Sequence, residues 1–148
     1  MQNYSHIRSV NRIIDANINR AKEGLRVCEE ITRFILNNKT LTAGFKKVRH
    51  ALETAARQLG AKQELVKDRD SAKDIGKRIY ADELNRKGIP DIFFANIQRI
   101  KESIRVLEEF SKLKNKSSSL KFKELRYRVY TIEKQAALKI ASLASGKK

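Results

Sequence analysis

The chain has 148 residues, with 33 Lys or Arg against 17 Asp or Glu, a formal net charge of +16, one Cys, one Pro and six Gly. This composition predicts a single domain and excludes a disulfide framework, a membrane span of ~18 apolar residues and, through its few Gly and Pro, a β-sandwich or barrel. The positive charge predicts an anionic partner, such as nucleic acid or a phosphorylated metabolite, unless it only solvates the surface. Because the first residues lack the apolar core of a signal peptide, we expect a cytoplasmic protein.

Two amphipathic helices are predicted at the start of the chain. The second covers about residues 43–59, and Thr40 or Thr42 is its expected N-cap. The first covers about residues 10–38, where steps of four and three place one apolar stripe along a single face: Ile14, Ile18, Ala21, Leu25, Cys28, Thr32 and Ile35.

The middle of the chain, about residues 61–90, is charged and lacks helical periodicity. It contains the sequence RDSAKDIG at residues 69–76, then a short helical stretch and a Gly-Ile-Pro break. A third helix is predicted over 91–114 and a last one over 120–143, with a polar turn between them. Residues 146–148 are expected to fray.

The third helix repeats the first. Aligning Ala16 with Ala95 makes ten of 19 positions identical, where average composition gives about one. The second and last helices also match, at an offset of 77 rather than 79. The duplication predicts one all-α, four-helix-bundle-like domain, made of two α-hairpins and a non-repeated insert. These units cover about residues 10–60 (first hairpin), 61–90 (insert) and 91–143 (second hairpin).

Each half also carries a second seam containing Asn, Arg three residues later and a small residue four after that. The sets are Asn17, Arg20 and Gly24, and Asn96, Arg99 and Ser103. In a structural interpretation, each Arg pairs with the Glu three residues on, Glu23 or Glu102. In a functional one, the small residue leaves room for a phosphorylated ligand, since a buried Arg requires an anionic partner. Spacing alone leaves both open.

The insert offers a second set of polar groups on a predicted loop. Asp70 and Asp74 supply hard oxygen ligands for Mg²⁺, and Arg69 suits a phosphate oxygen. Gly76 permits backbone conformations that bring N–H groups close to a ligand. The alternative is an ordinary charged surface loop.

Arg26 and Arg105 lie opposite the main apolar stripe, each at salt-bridge spacing from the Glu-Glu pair that follows it. We expect them to form a solvated or helix-pairing network rather than part of a site.

Several motifs of known chemistry are absent from the sequence. It contains no G-x-x-x-x-G-K-[ST], no G-x-G-x-x-G and no H-E-x-x-H. His6 and His50 are isolated, one Cys cannot make a zinc set, and Cys28 is most simply a core residue. The residues alone therefore predict a basic, duplicated, all-α protein that binds phosphate.

Three segments together carry a resemblance to a known family: RIIDANINRAKEGLRVCEE from Arg12, RDSAKDIG from Arg69 and FFANIQRIKESIRVLEEF from Phe93. The chain resembles, from about Arg12 to Leu138, the all-α hydroxymethylpyrimidine-phosphate kinase domain of thiamin biosynthesis, which is often fused ahead of thiamine-phosphate synthase. Its second motif departs from the pattern at Phe94, Ile100 and Ser103, which raises the question whether both halves keep a site.

The resemblance implies an ATP- and Mg²⁺-dependent phosphotransferase that converts hydroxymethylpyrimidine phosphate to the diphosphate and does not act on the unphosphorylated alcohol. On this hypothesis Arg20, Arg99 and Arg69 clamp phosphates, and Asp70 and Asp74 hold Mg²⁺. Asn17 and Asn96 would donate hydrogen bonds to phosphate or to the aminopyrimidine edge. Glu23 or Glu102 would orient an Arg or a metal-bound water.

Other functions stay open. A chorismate-mutase-type helical enzyme also uses Arg-lined clefts, although the insert has no obvious place there.

Two apolar seams on a helix also suggest a homodimer. A basic nucleic-acid-binding module without catalysis would use one exposed side of each hairpin: Lys46, Lys47, Arg49, Lys121, Lys123, Arg126 and Arg128.

Overall fold

A computed structural model describes residues 4–78 and 81–144, and in these ranges the protein contains helices and no strand. This confirms the all-α prediction; the predicted frayed end at 146–148 lies outside the described residues. No helix within these ranges is long and apolar enough to cross a membrane. The helices are α1 (Tyr4–Glu30, continued by a π-helix, Ile31–Ile35), α2 (Lys39–Arg57), α3 (Lys62–Lys67), α4 (Ile89–Ser111) and α5 (Lys116–Ala144), with short 3₁₀ turns at Ile75–Lys77 and Ala81–Leu84.

The main helices begin earlier than predicted because other residues start them. Asn38, rather than Thr40 or Thr42, caps α2, and its Oδ1 accepts a hydrogen bond from the backbone N–H of Leu41 at 2.9 Å. Pro90 lies in the first turn of α4 instead of ending a loop, because a first-turn residue needs no backbone donor.

The four long helices close into a ring. α1 packs against α2 and α4, and α5 packs against the same two helices from the other side. α1 and α4 run antiparallel: Cys28 lies against the carbonyl of Phe93, whereas Gly24, earlier in α1, lies against Ile100, later in α4. An approximate two-fold axis perpendicular to the helices therefore relates the two hairpins.

Apolar residues from all four long helices fill the centre of the ring. Phe45 and Phe93 meet edge to face with ring centroids 6.3 Å apart. Cys28 is fully buried, and burial, helped by the negative charge of Glu133, raises the pKa of its thiol to about 12. It is therefore an unreactive core residue, as predicted. Ile35, predicted on the same stripe, is instead 41% exposed.

The π-helix explains the exposure of Ile35. Its wider turns shift the register of the last residues of the first helix away from the core, and the N–H of Leu36 bonds back five residues to Ile31 at 3.1 Å. The first hairpin also has two more residues between its matching segments than the second, since the repeat offset falls from 79 to 77. The π-helix lies where this extra chain must be accommodated.

A matching ion-pair network ties the two helices of each hairpin together. Each centres on a glutamate with about 5% of its surface exposed, and an arginine of the partner helix donates to it from Nε, at 3.2 Å in the first hairpin and 2.9 Å in the second. A further arginine on the glutamate's own helix lies 3.5 Å from it in both. The participants are Arg26, Glu29 and Arg49, and Arg105, Glu108 and Arg126. The network therefore pairs helices.

Gly24 tests how tightly α1 and α4 are packed. A Cβ at Gly24 would lie 2.8 Å from Cγ1 of Ile100 and 3.2 Å from the backbone oxygen of Asn96. We expect Gly24→Ala to lower the free energy of unfolding by roughly 1 kcal/mol, because overpacking outweighs the gain in helix propensity. Urea denaturation measures the change.

Gly44→Ala in α2 is the matched control, since its Cβ would lie 3.4 Å or more from the flexible end of Ile132. This variant should be as stable as wild type or more stable, by up to about 1 kcal/mol. Equal stability of the two variants would contradict the close packing.

Candidate functional site

The insert lies against α1 and encloses a groove of about 580 Å³, here called the insert groove. Six of the predicted site residues line it: Asn17, Arg20, Glu23, Arg69, Asp70 and Asp74. The other residues that line it are not among the predicted ones: Ser9, Arg12, Ile13, Asp15, Ala16, Asn19 and Ser71. The structure thus brings one half of the duplicated seam together with the insert loop.

An ion pair between Asp15 and Arg69 fastens the insert to α1. Nε and Nη2 of Arg69 donate to the two carboxylate oxygens of Asp15, both at 2.7 Å. Asp15 is 7% exposed, and the hydrogen bond and charge of this carboxylate raise the pKa of Arg69. A bidentate pair of this geometry sets the orientation as well as the distance of the loop.

A second polar cluster holds the start of the insert. The side-chain nitrogen of Asn11 donates to Asp68 at 2.8 Å, and Arg8 lies 3.6 Å from the same carboxylate. Lys114, from the α4–α5 turn, donates to Asn11 and, at 3.2 Å, to the carbonyl of Leu59. α1, the end of α2 and the α4–α5 turn therefore meet at the base of the insert.

Short turns shape the loop and leave carboxylate oxygens available. Oδ1 of Asp70 accepts from the N–H of Lys73 at 3.1 Å, and Oδ1 of Asp74 accepts from the N–H of Gly76 at 2.8 Å. The other oxygen of each carboxylate makes no hydrogen bond or ion pair with the described residues. Gly76 itself does not line the groove, and its N–H supports the loop instead of facing a ligand.

The groove also presents cations without partners. Arg20 and Arg12 are exposed and form no ion pair with residues of the ranges 4–78 and 81–144. The Arg20–Glu23 pair of the structural interpretation is therefore absent there. The expectation of a buried Arg is wrong, because the long side chain reaches solvent at the edge of the seam. Both arginines are available to an anion.

The equivalent seam of the second half does not line this groove. Arg99 is exposed and makes no ion pair with the described residues, and Glu102 accepts from Gln98 at 3.1 Å instead of from Arg99. Asn96, like Asn17 in the first half, donates to the carbonyl four residues earlier in its own helix, at 2.8 Å. A clamp built from both halves is not what the structure shows at this groove.

The two small residues of the seams serve helix packing. The space predicted above Gly24 is filled by α4, whose Ile100 lies against it. Ser103 is 2% exposed and donates to the carbonyl of Arg99 at 2.7 Å. Neither residue lines the groove, so their assignment to substrate binding has no support from the geometry.

Arg69 and the nucleic-acid residues need a similar correction. Arg69 was assigned to phosphate, but two of its nitrogens are committed to Asp15. Arg49 and Arg126 were placed on an exposed basic side, yet their side chains are 13% and 12% exposed and pair with Glu29 and Glu108. Hydrogen bonds to Glu108 and Tyr130 raise the pKa of Arg126.

The sequence analysis does not identify Arg12 and Asp15 as residues of the groove. Arg12 and Asp15 differ from their counterparts in the second half, Asp91 and Phe94, so a search for shared residues passes over them. The difference between Asp15 and its counterpart Phe94 is a usable signal. Because only the first half has this Asp, it indicates the half against which the single insert docks.

The donor set suits a metal that is shared with a phosphate ligand. No group of three or more His, Cys, Asp or Glu side chains in the described ranges could hold a metal alone. Asp70 and Asp74 each offer one carboxylate oxygen, and Mg²⁺ typically binds one or two carboxylates together with substrate phosphates and water. These two residues fit Mg²⁺ bound in that way.

Comparisons with known proteins support the thiamin-biosynthesis part of the sequence resemblance. The model of the ThiD2 family matches residues 12–135. The chain is 40% identical over 126 residues to thiamine-phosphate synthase of Synechocystis sp. and 38% identical over 137 residues to that of Rhodopirellula baltica. These matches cover 84% and 92% of the chain but only 35% and 36% of the relatives, so it spans about a third of their length. No solved structure matches the chain.

Asp15 tests how the insert is fastened. We expect Asp15→Asn to lower the free energy of unfolding by about 1 kcal/mol, because Arg69 loses its charged partner while remaining partly solvated. Amide hydrogen exchange of residues 69–78 should become faster, with little change in the four long helices.

Glu124→Gln on α5 is the control, since this exposed carboxylate makes no hydrogen bond or ion pair with the described residues. It should leave both measurements unchanged. Unaltered exchange of the insert in Asp15→Asn would show that the ion pair does not hold the loop.

Proposed function

The chain belongs to the ThiD2 family, and from this premise we propose that it transfers the γ-phosphoryl group of ATP to hydroxymethylpyrimidine phosphate in thiamin biosynthesis. An oxygen of the acceptor phosphate attacks the γ-phosphorus, and the bond to the β-phosphate oxygen breaks. The products are ADP and hydroxymethylpyrimidine diphosphate. The curated relatives are named for the synthesis of thiamine phosphate, which supports a role in the same biosynthesis.

One observation carries the proposal: the same groove holds two arginines that form no ion pair with the described residues and two carboxylates that each keep one oxygen available. Arg12 and Arg20 supply positive charge for phosphate oxygens. Asp70 and Asp74 supply ligands for Mg²⁺, which would neutralise charge on the transferred group. Phosphoryl transfer depends mainly on positioning and charge neutralisation, so the groove needs no nucleophilic side chain.

The groove also accounts for an acceptor that already carries phosphate. A phosphate monoester is largely dianionic at neutral pH, since its second pKa is near 6, and its oxygen attacks without a general base. An alcohol, in contrast, has to give its proton to a base, such as a carboxylate, as it attacks. The alcohol would also leave arginines without an anion to bind.

Because the chain has a single insert, we expect one active site per chain. Only the first hairpin presents Asp15 to dock the insert, since its counterpart is Phe94. The second hairpin lacks both the carboxylate and a second insert.

Arg20 tests the phosphate contact. We incubate the protein with ATP, Mg²⁺ and either hydroxymethylpyrimidine phosphate or the alcohol, and follow ADP and the diphosphate. We expect turnover with the phosphate only, and Arg20→Ala should lower kcat/KM roughly 10- to 100-fold, the loss of one charge-assisted hydrogen bond of about 1.5–3 kcal/mol.

Arg128→Ala, at an exposed arginine of α5 without an ion pair among the described residues, is the matched control and should keep full activity. No turnover by folded wild type would overturn the kinase proposal. Steeply salt-dependent binding of nucleic acid would then favour the basic module.

Asp70 and Asp74 test the metal role. In the double variant Asp70→Asn/Asp74→Asn, each amide oxygen can still accept the backbone N–H that shapes the loop, whereas the charge for Mg²⁺ is lost. We expect the Mg²⁺ concentration for half-maximal activity to rise at least tenfold with an unchanged fold by circular dichroism. An unaltered Mg²⁺ dependence would remove both residues from the metal site.

A further inference from the structure

A second groove adjoins the insert groove on the other side of the Asp15–Arg69 pair. It has a volume of about 290 Å³ and lies between α1, α2 and α3; we call it the α2–α3 groove. Asp15, Asn19 and Arg69 line both grooves. The Asp15–Arg69 pair can therefore be contacted from both grooves. The two contacts could come from two ligands or from two parts of one ligand.

The floor of the α2–α3 groove is apolar. Ala56 is 8% exposed and Leu65 is 5% exposed, and the partly buried Ile18 lies beside them. Surfaces of this kind bind flat, weakly hydrated groups, and phosphate, which needs dense hydrogen bonding, gains little from them. The floor therefore provides an apolar contact surface beside the insert groove.

The rim of the groove offers hydrogen-bond acceptors as well as cations. Glu53 pairs with Lys22 at 3.3 Å, and the side chains of both are about one-third exposed. The carboxylate of Glu53 repels a phosphate and can accept a hydrogen bond from an amino group. Arg57 and Lys62 complete the rim, and at about 290 Å³ the groove suits a single ring system rather than a polymer.

We propose that the α2–α3 groove is the subsite for an amino-substituted heteroaromatic ring whose phosphate extends into the insert groove. The proposal rests on the proposed kinase function, in which both the nucleotide and the pyrimidine phosphate carry such a ring. The shared ion pair then lies between the ring and the phosphates.

Two alanines allow each groove to be narrowed separately. Ala56→Leu fills the α2–α3 groove, and Ala16→Leu narrows the insert groove. Ala141→Leu, on an exposed position of α5, controls for added apolar bulk. Calorimetric titrations use ADP, hydroxymethylpyrimidine phosphate and inorganic tripolyphosphate, each with Mg²⁺, and circular dichroism checks the fold of each variant.

We expect Ala56→Leu to weaken at least one ring-bearing ligand tenfold or more while tripolyphosphate binds within twofold of wild type. Ala16→Leu should weaken tripolyphosphate, and Ala141→Leu should change nothing. The ligand that Ala56→Leu weakens identifies the source of the ring, nucleotide or pyrimidine phosphate. Unchanged binding of both ring-bearing ligands by folded Ala56→Leu, or no binding of either by wild type, overturns the proposal.

Glu53→Gln provides a second variant in case Ala56→Leu does not fold. It removes the charge of the carboxylate and keeps the shape, so at least one of the two ring-bearing ligands should bind several-fold more weakly. Unchanged binding of both ligands counts against the subsite.

These titrations also separate the subsite from the kinase. If Ala56→Leu loses ring binding but the wild-type protein shows no turnover, the subsite proposal stands and the kinase proposal is rejected. If folded Ala56→Leu turns over both substrates with the wild-type KM, the kinase proposal stands and the subsite proposal is rejected.

Discussion

The ion pair between Asp15 and Arg69 is the contact on which the arrangement of the grooves depends. Both hydrogen bonds are 2.7 Å long, and they join α1 to a segment 54 residues away in the chain. The start of the insert is also held by the buried Leu65 and by the hydrogen bond from Asn11 to Asp68, but the Asp15–Arg69 pair is the contact next to Asp70 and so positions the loop relative to Arg20. The pair also forms the boundary between the two grooves.

The duplicated and unduplicated parts of the chain have different roles. Contacts present in both halves, such as Glu29 with Arg49 and Glu108 with Arg126, hold each hairpin together. The contacts that shape the groove occur once. Duplication therefore supplies a stable bundle, and the departures from it supply the candidate site.

The sequence predicted the bundle well because helical periodicity and a repeated pattern are local signals. It also predicted six residues of the insert groove, among them Arg20 and Asp70. It missed Asp15, since the choice of a partner 54 residues away depends on how the insert docks, which periodicity does not encode. The assignment of Gly24 failed for a related reason: spacing shows that a small residue leaves space but does not show that Ile100 fills it.

The antiparallel packing of α1 and α4 has a topological consequence. α4 runs in the same direction as α2, so the chain leaves α2 at one end of the bundle and must start α4 at the other, a distance of about 34 Å for a helix of 23 residues. A short turn cannot make this crossing, and the connection has to run as a strap over the outside of the bundle. Two hairpins fused with this symmetry therefore acquire an asymmetric outer layer, and such a layer can carry a ligand site without altering the core.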